Sequence, residues 1–339
     1  FFPFEDEQGN YPFDPAVLDG TSVEQVGTVG REGRLNEVSL GAGIEAVPGV
    51  MLGLSANIAF GRYQFSNAYS ELDRGDNDDY EVIRDGVTYR GLDEVRLEEH
   101  FDSELTGANL RGGLSAEAVP GVRLGLTVET PTFYQVSETF TEAEITTFFD
   151  DGGQLSYGGR VGDVGTVENE YEVRTPWRLG AGLQANLLPL TGGVADLTFA
   201  ADVEFVDWSQ LERSSRVLDL TAEQRENENY DVVFNTNLGA ELRVGGAALR
   251  GGFAYRPDPR ALDDDVRTEP LSEVVDSERL FYSLGAGYSF GEQLRIDIGW
   301  MQERFDDEFS IFPYGGDPAP SVSEEVMRNQ FLVGLTYSF

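Results

Sequence analysis

The last nine residues, FLVGLTYSF, alternate without a break: Phe331, Val333, Leu335, Tyr337 and Phe339 share one face, and Leu332, Gly334, Thr336 and Ser338 share the other. A period of two marks a strand with one apolar face. The design recurs along the chain. Val38, Leu40, Ala42, Ile44 and Ala46 oppose Ser39, Gly41, Gly43 and Glu45; Leu52, Leu54, Ala56, Ile58 and Phe60 oppose Gly53, Ser55, Asn57 and Gly61. Val122, Leu124, Leu126 and Val128 oppose Arg123, Gly125, Thr127 and Glu129. Further segments at 109–118, 179–187, 197–205, 234–244, 247–255, 280–290 and 294–300 bring the predicted total to eleven strands with the terminal one. No comparable window favours the helical period.

The connections alternate in length. Pro48-Gly49 and Pro120-Gly121 sit inside a near repeat, EAVPGVMLGLS and EAVPGVRLGLT, and Leu190-Thr191-Gly192-Gly193, Gly245-Gly246 and Gly291-Glu292 are equally short. Long polar stretches near 66–100, 131–170, 207–232, 256–278 and 304–328 separate them. Short turns at one end and long loops at the other, with about ten residues per crossing, predict an all-β antiparallel transmembrane β-barrel. Hydrocarbon cannot hydrogen-bond the backbone, so a spanning sheet must close on itself. A soluble β-sandwich also alternates, but it explains neither the one-sided loops nor the charges. Arg111, Glu117, Arg123, Glu129, Asp202, Glu204, Glu241, Arg243, Arg250, Arg295 and Asp297 all fall opposite the aliphatic face. In a barrel they line the lumen, where opposite charges on neighbouring strands pair. Tyr255, Tyr288, Phe290, Trp300, Tyr337 and Phe339 gather at strand ends, as interfacial girdles do.

Barrels of one chain have an even strand number with both termini in the periplasm. Eleven strands with the last ending in the periplasm imply an odd number missing before residue 36. Residues 1–35 are therefore expected to be an extracellular loop or the remnant of a preceding region, and 36–339 the barrel. Composition adds constraints. There is no cysteine, which excludes disulfides and thiolate metal sites. Against 61 acidic residues stand 24 basic ones, all arginine, for a net charge of -37. Such a chain repels nucleic acid, and acids spread through every loop read as a surface suited to high salt, as in a halophilic bacterium. No run of about 18 apolar residues predicts a membrane helix.

Four stretches resemble the long-chain fatty acid transporter family of outer-membrane β-barrels (FadL/TodX type), particularly versions from Bacteroidetes-like bacteria. They are TVETPTFYQVSETF at 127–140, YEVRTPWRLGAGL at 171–183, DVEFVDWSQ at 202–210 and LRGGFAYRPDP at 249–259, in the family's order. The resemblance implies fourteen strands, an N-terminal plug and a kinked early strand, so that three strands and the plug would lie outside this sequence. It implies passive uptake of hydrophobic small molecules, such as long-chain fatty acids or aromatic hydrocarbons, across the outer membrane of a Gram-negative bacterium. The partners expected are that ligand, the lipid bilayer with its lipopolysaccharide, and the barrel-assembly machinery, which reads a C-terminal Phe like Phe339; the protein is expected to act as a monomer. No cofactor is implied. A structural or secretion-accessory barrel is the alternative.

An apolar solute needs an apolar site. Candidates are Phe133, Tyr134, Phe140, Phe148 and Phe149, with Phe309, Ile311, Phe312 and Tyr314 in the last loop; packing of the loops over the barrel mouth competes for the same residues. Catalysis is not expected. His100 in EEHFDSE is the sole histidine; on a strand it shares a face with Asp102 while Ser103 points away, which breaks a triad. Asp76-Asn77-Asp78-Asp79 and Asp263-Asp264-Asp265 lack calcium-loop spacing. Gly41-Ala42-Gly43 and Gly285-Ala286-Gly287 have no helix after them and are not nucleotide loops. Small lumen-face residues leave room for a plug or pathway, or relieve crowding, and the sequence does not choose between these.

Overall fold

The computed structural model describes residues 23–74, 81–84, 86–158, 166–187, 195–215, 230–260, 278–291, 293–310 and 321–337. The predicted eleven strands are present: β1 Val23–Val47, β2 Val50–Asp73, β5 Leu92–Val119, β6 Val122–Glu129, β10 Arg178–Asn186, β11 Asp196–Asp207, β13 Val232–Val244, β14 Ala247–Arg256, β15 Arg279–Phe290, β16 Leu294–Ser310 and β17 Ser321–Tyr337. Six more lie in stretches expected to be loop: β3 Glu81–Arg84, β4 Val87–Arg90, β7 Phe133–Phe149, β8 Gln154–Gly158, β9 Thr166–Arg174 and β12 Glu212–Ser215. Sequence neighbours pair antiparallel along β10-β11-β13-β14-β15-β16-β17, and β10 also pairs with β6.

Two expectations are corrected. The first strand begins at Val23, so 23–35 is strand rather than loop. Much of 66–100 and 131–170 is also strand. The physical reason is common to both. A strand away from hydrocarbon needs no apolar face, so the hydrophobic alternation vanishes while the backbone ladder continues.

The chain forms two compact units, one of residues up to Asn36, Phe60–Leu105 and Val136–Glu170, the other of Glu37–Ala59, Thr106–Gln135 and Tyr171–Phe339. The first is held by polar cross-strand pairs: Arg62 and Gln64 on Asp102 at 2.7 and 2.6 Å, Asn67 on Glu99 at 3.3 Å, Ser70 on Glu94 at 2.6 Å. Phe65 stacks on Phe101 at 5.2 Å, and Phe149, 3 % exposed, packs on Tyr89 of the β3–β4 hairpin at 5.1 Å. Burial, then the neighbouring Glu71 carboxylate, pushes the Tyr69 hydroxyl well above its usual pKa.

The second unit is inside out by the standard of a soluble protein. Leu54 is 62 % exposed, Leu126 56 %, Leu249 61 %, Leu284 63 % and Ile298 57 %, all on one face. A continuous apolar surface of this kind is stable in hydrocarbon, not in water. The opposite face carries the charges, which resolves the rivalry with a sandwich: a sandwich would bury the aliphatic face.

The near repeat explains its own turns. Gly49 and Gly121 have φ of 81° and 83°, the left-handed values demanded after Pro in a type II turn. Glu45 Oε1 accepts from Gly49 N at 2.9 Å and Glu117 Oε1 from Gly121 N at 3.4 Å. Each Glu of EAVPGV thus caps its own turn.

Candidate functional site at the strand breaks

Three adjacent strands break at one level of the second unit. The run of β6 into β7 is interrupted at Thr130-Pro131-Thr132, that of β9 into β10 at Thr175-Pro176-Trp177, and that of β11 into β12 by a 3₁₀ turn, Trp208–Gln210. Proline has no N–H to give a ladder, and threonine hydroxyls take up the slack. Leu110 N donates to Thr130 Oγ1 at 3.1 Å, Thr132 N to Thr175 Oγ1 at 2.8 Å, and Thr175 N to the Thr132 carbonyl at 3.1 Å. Asp207 organises the third break. It accepts from Ser209 N at 3.2 Å, Ser209 Oγ at 2.6 Å and Gln210 Nε2 at 3.0 Å. These bonds, led by Ser209, hold its carboxyl below the usual carboxylate range. Gln210 Oε1 in turn faces Trp177 N at 3.5 Å. Trp208 N donates to Asp231 O and Asp231 N to Pro259 O, at 3.3 and 2.7 Å. The four stretches that carried the family resemblance therefore meet at this level.

A cavity of about 600 Å³ opens there. Outward-facing Ile58, Leu110, Phe133 and Trp177 line it, as do Asn57 and Asn109 from the charged face, so it reaches into the thickness of the sheet. Behind it lies a buried band: Asn57 2 % exposed, Ala59 4 %, Thr132 4 % and Val206 0 %. A second cavity, about 560 Å³, shares Ile58, Phe133 and Arg174 and adds Tyr134. Tyr134 packs against Gly107, where a β-carbon would come within 2.4 Å of its ring.

Among the described residues, the sequence-predicted aromatics Phe133, Tyr134, Phe140, Phe148 and Phe149 all lie on β7. Phe133 and Tyr134 reach this level on opposite faces of β7. Phe140, also on β7, is half-buried. Phe148 lies under the Arg96 guanidinium at 5.0 Å, while Phe149 packs on Tyr89. As neighbours in a strand, Phe148 and Phe149 point to opposite faces. Phe312 and Tyr314 lie outside the described residues, as does Ile311. Sequence reasoning missed Asn57, Asn109, Arg174, Trp177 and Gln210 as a cluster. The Thr-Pro dipeptides were the available signal.

On the charged face, Arg111 bonds Glu129 at 2.7 Å and Glu37 at 2.8 Å. Arg250 bonds Glu241 at 2.5 Å and Asp297 at 2.8 Å; Arg243 adds a second cation to Glu241 at 2.6 Å and Arg295 to Asp297 at 2.9 Å. Glu204 receives Arg178 at 3.2 Å and Asn235 at 2.8 Å, and Asp202 receives Asn237 at 2.5 Å. Arg123 stands opposite Glu117 in the register. The Arg250–Asp297 bond spans β15 at Gly285 and Gly287, where no side chain blocks it. His100 Nε2 lies 3.0 Å from Asp102 Oδ2, and Ser103 Oγ turns to Glu138 instead. No cluster of metal-ligating side chains occurs among the described residues.

Residues 194–311 match the model of the outer membrane protein transport protein family (OMPP1/FadL/TodX). The match spans about a third of the chain. Among solved structures, the chain is similar to the Pseudomonas putida toluene transporter TodX, with a TM-score of 0.50 at 11% identity over 95% of this chain and 80% of that one. A second TodX structure aligns at TM-score 0.43 and 10% identity, over 95% and 90% of the two chains. The CymD monoaromatic hydrocarbon channel aligns at 0.42 and 15%, over 96% and 91%. No curated protein sequence matches. The likeness to TodX is one of fold.

Proposed function

We propose that the protein is an outer-membrane channel for passive uptake of hydrophobic small molecules, the class that includes long-chain fatty acids and aromatic hydrocarbons. The observation that carries this reading is the apolar cavity at the strand breaks. It is walled by Ile58, Leu110, Phe133 and Trp177 and large enough for a single-ring or short-chain solute. Desolvation supplies the affinity, at roughly 25 cal/mol per Å² of apolar surface removed from water. The family match to a transport protein and the lipid-compatible face of the second unit support it. The charged face serves as a wetted wall whose ion pairs neutralise one another. Catalysis has no part in this reading; next to the His100–Asp102 pair, Ser103 Oγ turns to Glu138.

The test is uptake of a fluorescent fatty acid and of a labelled alkylbenzene into proteoliposomes. Wild type is expected to exceed empty liposomes for at least one of them, and a Phe133→Ala/Trp177→Ala variant to lose most of that excess. Rates equal to empty liposomes for both solutes would defeat the reading and favour a structural or secretion-accessory barrel.

A further inference from the structure

The cavity at the breaks is apolar with one polar defect. Asn57, 2 % exposed, lines it, and its Oδ1 has no hydrogen-bond partner. The surrounding bonds dictate this. Glu129, which can only accept when ionised, and Thr132 Oγ1 take the Asn109 amide protons at 3.3 and 2.8 Å. Asn109 therefore presents its Oδ1 to Asn57, which must donate, at 2.6 Å. Flipping Asn57 would set two oxygens against each other. The chain of amides ends in a buried acceptor that lacks a donor, a costly state that a native structure is expected to explain.

Charge around the cavity narrows what the donor is. Glu129 stands behind Asn109, and Arg174, in the cavity wall, is already bound to Glu212 at 2.5 Å. An anion entering here meets a carboxylate and an orphaned amide oxygen, with the nearby cation already paired. A bare hydrocarbon leaves the oxygen as it is. We propose, resting on the reading of this cavity as the solute site, that it selects neutral molecules with an apolar body and a terminal O–H, such as alkylphenols or aliphatic alcohols. The hydroxyl donates to Asn57 Oδ1. The amide torsion of Asn is soft, so a small rotation turns the oxygen toward the cavity.

The experiment uses the full chain in detergent and follows tryptophan quenching by 4-propylphenol, propylbenzene and 4-propylbenzoate, each corrected for micelle partition. Wild type should bind the phenol about five- to tenfold more tightly than propylbenzene, the worth of one net hydrogen bond, and the benzoate least. Asn57→Leu should bind phenol and hydrocarbon alike. Equal affinity of wild type for phenol and hydrocarbon, or tightest binding of the benzoate, overturns the proposal while leaving the cavity as the solute site. Binding of none of the three removes the cavity reading and the proposal together. The wild-type series decides even if Asn57→Leu does not fold.

Discussion

Gly287 occupies the gap through which Arg250 reaches Asp297. A β-carbon at this position would stand 2.2 Å from Asp297 Oδ1 and 3.4 Å from Arg250 Nη1. In Gly287→Ala the carboxylate must swing aside, parting the 2.8 Å bond to Arg250. It can retain Arg295, 2.9 Å away. A hydrogen bond between charged groups is worth about 1.5–3 kcal/mol where well buried. Here the two side chains are 30 % and 28 % exposed and Asp297 keeps a second cation, so the expected loss is about 1–2 kcal/mol. Gly239 provides the comparison. It lies on the same charged face of β13, but its nearest neighbour to an added carbon is a backbone oxygen at 3.9 Å. Gly239→Ala should be neutral or stabilising by up to about 1 kcal/mol, since glycine is unfavourable in a strand. Both variants would be refolded into the same bilayers and unfolded with urea, with tryptophan emission reporting the midpoint. Equal midpoints for the two variants, or no loss in Gly287→Ala, would refute the account of Gly285-x-Gly287 as a gap for an ion pair.

Asp207→Ala removes the acceptor that shapes the turn at Trp208–Gln210, and should cost about 1 kcal/mol, the scale of a lost cap. Because the folded carboxyl titrates below its unfolded value, the advantage of wild type over Asp207→Asn should hold above about pH 4 and fade as pH falls through the lowered folded value; an advantage that grows on acidification contradicts the sign. Glu45→Ala should destabilise more than Glu117→Ala, by up to about 1 kcal/mol, because its bond to the turn is 2.9 Å against 3.4 Å; paired urea titrations check the order. His100→Ala should leave solute uptake at the wild-type rate in proteoliposomes, and a loss would show that its contact with Asp102 matters to transport.

How much of this was legible in one dimension follows from what each residue faces. Leu249 and Leu284 meet hydrocarbon and Arg250 meets ions, so the period of two along β13–β17 marks strand, face and charge together. The parts of β2, β5 and β7 in the first unit carry no such signal, because cross-strand polar pairs and scattered ring contacts such as Phe65–Phe101 hold them rather than a continuous apolar face. Thr-Pro-Thr and Thr-Pro-Trp were visible as motifs, yet their purpose was not. Proline removes a donor locally, but that the interruptions at Pro131, Pro176 and Trp208 lie side by side depends on the register of three strands. The same holds for Asn57 and Asn109, separated by 52 positions and joined at 2.6 Å. A side chain's periodicity records its own environment. Its partner, and an oxygen left without one, are properties of the space between strands.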